Sequence, residues 1–251
     1  GEVVFNTAMT GYQEMLTDPS YGGQILVPTY PMIGNRSPGF EADVESTRIQ
    51  VNGFVVRDDC EEPSHPLSEG TVHDYLLKNG VPGISGVDTR AITRKLRSAG
   101  VMMGIITPNA DVEIALATLA KAPRYGEFDV VGDVSTDDIY AWNGDAGEES
   151  RAFFDLRGRA RQGGMGINVE RGIGQRDLGD NYMKVVVNDY GVKLNILRSL
   201  RARGCEVIVV PDNASAEDIL GHNPDGVMLS PGPGDPELLD RSVDTAKGLA
   251  G

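Results

Sequence analysis

The sequence contains little cysteine: only Cys60 and Cys205 occur among 251 residues. Two cysteines cannot form the disulfide framework of a small secreted domain, and such low use is typical of a reducing compartment. Apolar runs are also short, and none approaches the roughly 20 residues that span a membrane. No targeting segment is evident either. We therefore expect a cytoplasmic protein that does not associate with membranes.

Positive charge is scarce as well. Lysine and arginine total 23 against 37 acidic residues, which gives a net charge of −14. A nucleic-acid backbone repels such a chain, so a nucleic-acid partner is not expected. Neither of the two common glycine-rich phosphate-binding motifs follows a predicted strand. The three histidines, His65, His73 and His222, show no metal-ligand spacing with the cysteines, and we expect no metal site.

Residues 1–142 show mixed signals that predict an α/β domain. Apolar runs predict strands at residues 3–6, 24–30, 49–57 and 104–107. Helices are predicted near residues 68–79, from Asp88 as N-cap to Gly100, and over residues 111–121. Residues 143–181 differ in composition, because nine of these 39 residues are glycine and many are charged. This composition is typical of a solvated linker.

From residue 182 the pattern becomes regular. Strands at 185–188, 206–210 and 226–229 alternate with helices at 193–203 and 214–220, and a further helix begins before residue 251. Such alternation predicts a parallel sheet with right-handed crossovers and helices on both faces. The continuous apolar runs agree, since strands buried on both faces need no alternation. Residues 182–251 are therefore expected to form part of a doubly wound domain.

Ligands in such sheets bind beyond the carboxyl ends of the strands. The third strand of this region is followed by alternating proline and glycine, from Pro231 to Gly234. Proline stiffens the loop, whereas Gly232 and Gly234 retain N–H groups that the stiff backbone can aim. Fixed backbone donors at a strand end are the material of an oxyanion hole. A rigid turn without chemistry is the alternative, and these residues alone do not decide between the two.

Neither cysteine fits the nucleophile that an oxyanion hole implies. Cys205 is predicted at the amino end of its strand, opposite the loop, and Cys60 lies among four carboxylates that disfavour a thiolate. His222 fits a helix-terminating turn. Near the start of the chain, the residues from Asp18 to Ser20 form a turn sequence whose polar side chains most simply cap the neighbouring backbone.

Six motifs together resemble one family, the small subunit of glutamine-dependent carbamoyl-phosphate synthase. They are, in order, Thr10-Gly11-Tyr12-Gln13-Glu14, Leu16-Thr17-Asp18-Pro19-Ser20-Tyr21, Tyr30-Pro31-Met32-Ile33-Gly34-Asn35, Gly86-Val87-Asp88-Thr89-Arg90-Ala91, Asp189-Tyr190-Gly191-Val192-Lys193-Leu194-Asn195 and Gly232-Pro233-Gly234-Asp235-Pro236. The last is shared with other class I glutamine amidotransferases. The resemblance implies an amino-terminal small-chain domain at 1–142, a glycine-rich linker at 143–181, and the first half of a class I amidotransferase domain at 182–251.

The resemblance also implies a function. A glutaminase of this family hydrolyses L-glutamine through a cysteine thioester and passes ammonia to a large subunit. That partner makes carbamoyl phosphate from ammonia, bicarbonate and ATP, for arginine and pyrimidine synthesis. Carried over by position, Ser20, Gly232 and Gly234 contact glutamine. ATP and magnesium belong to the large subunit, and no cofactor is expected in this chain.

The family places its nucleophile in a Gly-x-Cys-x-Gly motif and its other catalytic groups in a His-x-Glu motif. Neither motif occurs in these 251 residues, so we expect a piece of a longer protein that holds part of a substrate pocket and no catalytic residue. Three alternatives stay open: a docking partner without glutaminase activity, another class I amidotransferase, which the amino-terminal motifs disfavour, and a flavodoxin-like module that binds flavin or nucleotide.

Overall fold

The computed structural model describes residues 1–36, 44–66, 68, 70–124, 126–142 and 182–250, so the predicted linker at 143–181 lies outside the described residues. The chain divides into two compact units. The first comprises the described parts of 1–39 and 45–134 together with 233–238. The second comprises Val44 and the described parts of 135–232 and 239–251.

The first unit contains six short strands and five α-helices among its described residues. The strands are β1 (Glu2–Asn6), β2 (Gln24–Pro28), β3 (Met32–Ile33), β4 (Gly53–Val55), β5 (Asp58–Asp59) and β6 (Gly83–Ile84). The helices are α1 (Tyr12–Thr17), α2 (Val72–Lys78), α3 (Thr89–Ala99), α4 (Val112–Leu119) and α5 (Val131–Val134). A parallel sheet has the order β1-β2-β4-β6, and β3 pairs with β5 in a second, two-stranded sheet.

Both faces of the four-stranded sheet are covered, because neighbouring residues of β2 enter different apolar clusters. Leu26 packs with Leu16 and Phe54. Ile25 and Val27 pack in another cluster with Val55. This two-sided burial explains the continuous apolar run at β2, since side chains alternate between the two faces of a strand.

The predicted helices of this unit are confirmed, and their starts follow local capping. Asp88 accepts the Ala91 N–H at 2.9 Å at the start of α3. Thr71 and Asp74 form a capping box at α2. Asp111 caps α4. Side-chain oxygens satisfy N–H groups that the first helical turn leaves unpaired, so these ends are set by nearby sequence.

The predicted strand at 104–107 is wrong. The segment touches the edge of β1 only briefly, where the Val3 N–H donates to the Met102 carbonyl at 2.8 Å and Met103 bridges Glu2. Farther on, Ile106 packs against the cluster on β2. The apolar pattern therefore reflects side-chain packing, whereas a strand also requires a continuous backbone partner.

The second unit contains four strands and three helices among its described residues. They are β7 (Tyr140–Ala141), β8 (Met183–Asp189), α6 (Leu194–Ala202), β9 (Cys205–Pro211), α7 (Ala216–Gly221), β10 (Gly226–Leu229) and α8 (Asp240–Ala250). The sheet order is β10-β8-β9-β7, in which β10, β8 and β9 are parallel and β7 is antiparallel. The predicted α/β class and the parallel sheet are confirmed.

The division between the units differs from the predicted boundary at residue 142. Residues 135–142 group with the second unit because β7 adds an edge strand to β9. The Trp142 N–H continues this pairing by donating to the Val207 carbonyl at 2.8 Å. In the described part of the chain, no helix is long and apolar enough to cross a membrane.

Candidate functional site

The order of the second sheet selects one place for a ligand. From β8 the chain crosses to β9 on one side, and it then returns to place β10 on the other side of β8. Ligands of open α/β sheets bind at such a reversal, outside the carboxyl ends of the strands. The turn after β8 and the loop after β10 therefore form the candidate site.

The turn after β8 is held by one carboxylate. Asp189 Oδ1 accepts the N–H of Gly191 at 2.9 Å and that of Val192 at 2.7 Å. Asp189 Oδ2 accepts the Thr136 N–H at 3.0 Å. Asparagine and aspartate commonly close turns in this way. The carboxylate thus fixes the backbone on both sides of Tyr190.

The loop after β10 lies directly against this turn. The Ser230 N–H donates to the Asn188 carbonyl at 3.1 Å, which continues the pairing of the two strands. The backbone of Gly232 then passes the Tyr190 carbonyl so closely that an added Cβ would overlap it. Only glycine fits at position 232, because any side chain would displace the loop or the turn.

The two glycines serve the loop for different reasons. Gly234 has open space around it but a φ of +85°, a conformation that strains residues with a side chain. Gly232 is limited by the Tyr190 backbone, and among the described residues no acceptor receives its N–H. Beyond the glycines, Asp235 accepts the Glu237 N–H at 3.0 Å and begins a one-turn 3₁₀ helix at Pro236–Leu238.

The charged groups that act on the turn are negative. Burial raises the pKa of Asp189 above its ordinary value, and the charge of Asp212 adds to this shift, while three backbone N–H donors oppose it. Burial, with a smaller contribution from Asp189, raises the pKa of Tyr140 to about 12. No cation contributes to either shift. A developing anion here would therefore depend on neutral backbone donors for its stabilisation.

Asn188, the last residue but one of β8, is fully buried. Its amide Nδ2 donates to the Tyr190 hydroxyl at 2.7 Å, and that hydroxyl is also hydrogen-bonded to Ser242. Its Oδ1 has no partner among the residues that the structure describes. Buried polar atoms are usually paired, so this side chain marks a polar patch under the turn.

Ser20 lies in the first unit, in a 3₁₀ helix at Pro19–Tyr21. Its N–H donates to Asp18 Oδ1 at 2.9 Å, so the carboxylate of Asp18 closes the turn. The neighbouring hydroxyl of Thr17 donates to the Gln13 carbonyl at 2.8 Å. The half-buried Ser20 hydroxyl, by contrast, has no hydrogen-bond partner within the described part of the chain. The predicted capping role is thus filled by its neighbours, which leaves this hydroxyl to a ligand or to water.

The structure does not bring Cys205 or His222 into this site. Cys205 begins β9, at the amino edge of the sheet, and Cys60 belongs to the first unit. His222 ends α7, as predicted. Among the described residues, no three metal-ligating side chains gather at one place.

A cavity of about 820 Å³ opens in the first unit. Its lining includes Gly1, Gly23, Asn52 and Pro82, each of which directly precedes a strand of the four-stranded sheet. It therefore lies at the amino edge of that sheet. Ligands of parallel sheets bind at the opposite edge, and we assign it no ligand.

The sequence did not identify Ser230, Thr136 or Tyr190 as parts of the site. The only local signal was an aspartate followed two residues later by glycine after a buried strand, a pattern typical of such turns. Thr136 and Ser230 reach the turn from 53 and 40 residues away in sequence. Such distant contacts depend on the sheet, and nothing in the local sequence reveals them.

Comparison with known proteins agrees with the two units. Residues 1–106 match the family described as the CPSase domain of the carbamoyl-phosphate synthase small chain. Residues 185–251 match the family described as class-I glutamine amidotransferase. The second match begins within β8 and includes both loops of the candidate site.

Three relatives that align with nearly the whole of this chain carry the same name. The carbamoyl phosphate synthase small chain of Nostoc is 44% identical over 252 residues, covering 99% of this chain and 59% of the relative. The protein of the same name from Xanthomonas axonopodis is 45% identical, with coverage of 99% and 62%. That from Methanopyrus kandleri is 41% identical, with coverage of 100% and 61%. The chain thus spans about three fifths of the length of these relatives.

Proposed function

The chain belongs to the carbamoyl-phosphate synthase small-chain family, and from this premise we propose that it contributes the glutamine-binding part of a glutaminase. In this proposal the protein hydrolyses L-glutamine and supplies ammonia to a large chain. The large chain binds ATP and magnesium and makes carbamoyl phosphate, which feeds arginine and pyrimidine synthesis. The protein acts in the cytoplasm as a heterodimer with the large chain.

The observation that carries the proposal is the loop after β10. Its Gly232 is fixed against the Tyr190 carbonyl, and Gly234 follows with a φ of +85°. Attack on the side-chain amide of glutamine produces a tetrahedral intermediate whose oxygen is negative. Backbone N–H donors already in place stabilise this oxygen, and losing one such donor costs about 3–4 kcal/mol of barrier lowering. We assign this role to the N–H of Gly232, and we propose that Gly234, whose φ shapes the loop, also contacts glutamine.

Ser20 is assigned a different role. Its hydroxyl is half-buried and makes no hydrogen bond within the described residues, so it is available to a polar substrate. A neutral hydroxyl that binds the amino acid equally in the ground state and the transition state lowers KM without changing kcat. We therefore propose Ser20 as a glutamine-binding residue and not as a catalytic one.

The attacking thiol is assigned to neither cysteine of this sequence. Cys205 lies at the amino edge of the sheet, whereas the loop lies at the carboxyl edge. The family's reaction proceeds through a cysteine thioester, so we propose that the thiol belongs to a part of the protein outside these 251 residues. The described chain then supplies binding and anion stabilisation.

The proposal is tested on the full-length protein purified with its large chain. Glutamate release and carbamoyl phosphate formation are measured with glutamine, and again with ammonium salts. We expect glutamine to support synthesis with stoichiometric glutamate release. Synthesis from ammonia without any hydrolysis of glutamine would contradict the proposal and support a docking partner without glutaminase activity.

A further inference from the structure

Ser230 connects the two loops of the candidate site. It is the first residue after β10, and the residue is more than nine-tenths buried. Its hydroxyl accepts the Tyr190 N–H at 2.9 Å and donates to the Pro231 carbonyl at 2.9 Å. One hydroxyl thus ties the turn after β8 to the peptide that leads directly into Gly232.

The same residue of the turn meets the loop twice. The N–H of Tyr190 reaches Ser230, and the carbonyl of Tyr190 lies against the Gly232 backbone. The turn itself cannot shift freely, because Asp189 holds the N–H groups on its far side. The position of Gly232 relative to the sheet is therefore fixed by contact with one tyrosine backbone, and Ser230 is the side chain that maintains this contact.

We propose that Ser230 is a positioning residue for the glutaminase reaction: its hydroxyl holds the Gly232 N–H where the oxygen of the tetrahedral intermediate develops. The inference rests on the proposed function, because it needs an oxyanion at that loop. Ser230 itself does not touch the substrate. Small displacements of catalytic groups cost large factors in rate, about a hundredfold for roughly 1 Å, so loss of the hydroxyl lowers kcat.

Threonine and valine at position 230 provide the decisive pair. Their side chains have the same shape, but only threonine keeps a hydroxyl at the γ position. In the full-length protein with its large chain, Ser230→Val is expected to lower kcat for glutamine hydrolysis by about tenfold to a hundredfold, with the glutamine KM nearly unchanged. Ser230→Thr is expected to retain most of the activity. Ser230→Ala, which fits any space that serine fills, is expected to resemble valine.

Thr245→Val serves as the matched control for stability. The Thr245 hydroxyl is also buried and donates to the Ala214 carbonyl at 3.0 Å, within the same unit but away from the loop. Its removal is expected to lower thermal stability without changing the kcat of glutamine hydrolysis. A fall in kcat that merely followed stability would appear in this control too.

Synthesis from ammonia separates the possible outcomes. The inference predicts that the Ser230 variants keep ammonia-dependent synthesis and lose only the glutamine-dependent rate. It is overturned if alanine and valine hydrolyse glutamine as fast as serine, or if threonine is as slow as valine. If the unmodified protein releases no glutamate from glutamine, the proposed function fails instead, and the two failures are thus distinguishable.

Discussion

The two units build parallel sheets that differ in strand order. In the first unit the order β1-β2-β4-β6 advances in one direction, with no reversal among the described strands. In the second unit the chain reverses at β8, so β9 and β10 lie on opposite sides of it. A reversal opens a crevice because the crossovers leave the central strand in different directions. The second sheet therefore has a strand-order reversal at which a ligand can bind, and the described strands of the first sheet have none.

The two units also differ in the edge of the sheet at which their candidate ligand features lie. The first unit has its space at the amino edge of its sheet, where the lining residues precede the strands. The second unit has the buried carboxylate of Asp189 and the close approach of Gly232 to Tyr190 at the carboxyl edge of its sheet. Volume alone would direct attention to the first unit, whereas topology and donor geometry direct it to the second.

The largest effect is expected at Gly232. Gly232→Ala places a methyl group on the Tyr190 carbonyl, so the loop must move. Its backbone N–H donors then no longer point to the position of the oxyanion. Glutamine-dependent carbamoyl phosphate synthesis should fall about 100-fold to 1000-fold, as when an oxyanion donor is lost, while ammonia-dependent synthesis stays normal. Steady-state rates with each nitrogen source measure this.

Gly226 provides the matched control. Gly226 begins β10, the strand that leads into the loop, and an added Cβ there meets no atom within 4 Å. Gly226→Ala should therefore leave both rates close to normal. Equal losses from the two glycines would show that the loop after β10 has no special role.

A smaller effect is expected at Gly234. There is space for a side chain, but alanine at a φ of +85° is strained by roughly 1–2 kcal/mol. Glutamine-dependent synthesis by Gly234→Ala should fall about tenfold if the loop relaxes to relieve this strain. Gly80→Ala adds comparable strain at a φ of +68° in the cavity of the first unit and should leave the rate unchanged. The reverse pattern would move the site to the cavity that Gly80 lines.

At Ser20 the expected change is in binding. Ser20→Ala removes one hydroxyl and should raise the glutamine KM about threefold to tenfold, as expected for one hydrogen bond of roughly 1 kcal/mol, with kcat unchanged. Ser98→Ala removes an exposed hydroxyl that bonds only its own helix and is the control. An unaltered KM for the Ser20 variant would mean that this serine is only a turn residue.

The smallest expected effect is the pH dependence of stability that Asp189 contributes. Burial raises the pKa of Asp189 above 3.8, so between 3.8 and the raised value the folded chain holds a proton that the unfolded chain has lost. The contribution of Asp189 to the free energy of unfolding therefore falls as pH rises through this window and is constant above it. Asp189→Asn does not titrate but retains an acceptor for Gly191 and Val192. Urea unfolding across this window should increasingly favour the variant as pH rises, and a pH-independent difference would contradict the assignment.

Local features of the fold were predictable from sequence, and distant ones were not. Asp88, Thr71 and Asp111 cap their helices through residues two or three positions away, so the sequence nearby contains the signal. The segment at 104–107 was predicted as a strand because of its apolar run, yet a strand depends on a partner backbone that local sequence does not specify.

The candidate site divides in the same way. Pro231, Gly232 and Gly234 predicted a stiff loop at a strand end, because the conformational limits of proline and glycine are intrinsic to those residues. The contact of Ser230 with Tyr190 spans 40 residues. It exists only because β10 pairs with β8, so it could not be read from the sequence around either residue.

The most direct test is hydrogen exchange on the full-length protein with and without glutamine. Glutamine is expected to slow amide exchange in the peptide that covers residues 229–236 and in the turn at 189–192. The amides at residues 104–106, which line the cavity of the first unit, should not change. Protection at 104–106 with none at 229–236 would contradict the assignment of glutamine binding to the loop after β10.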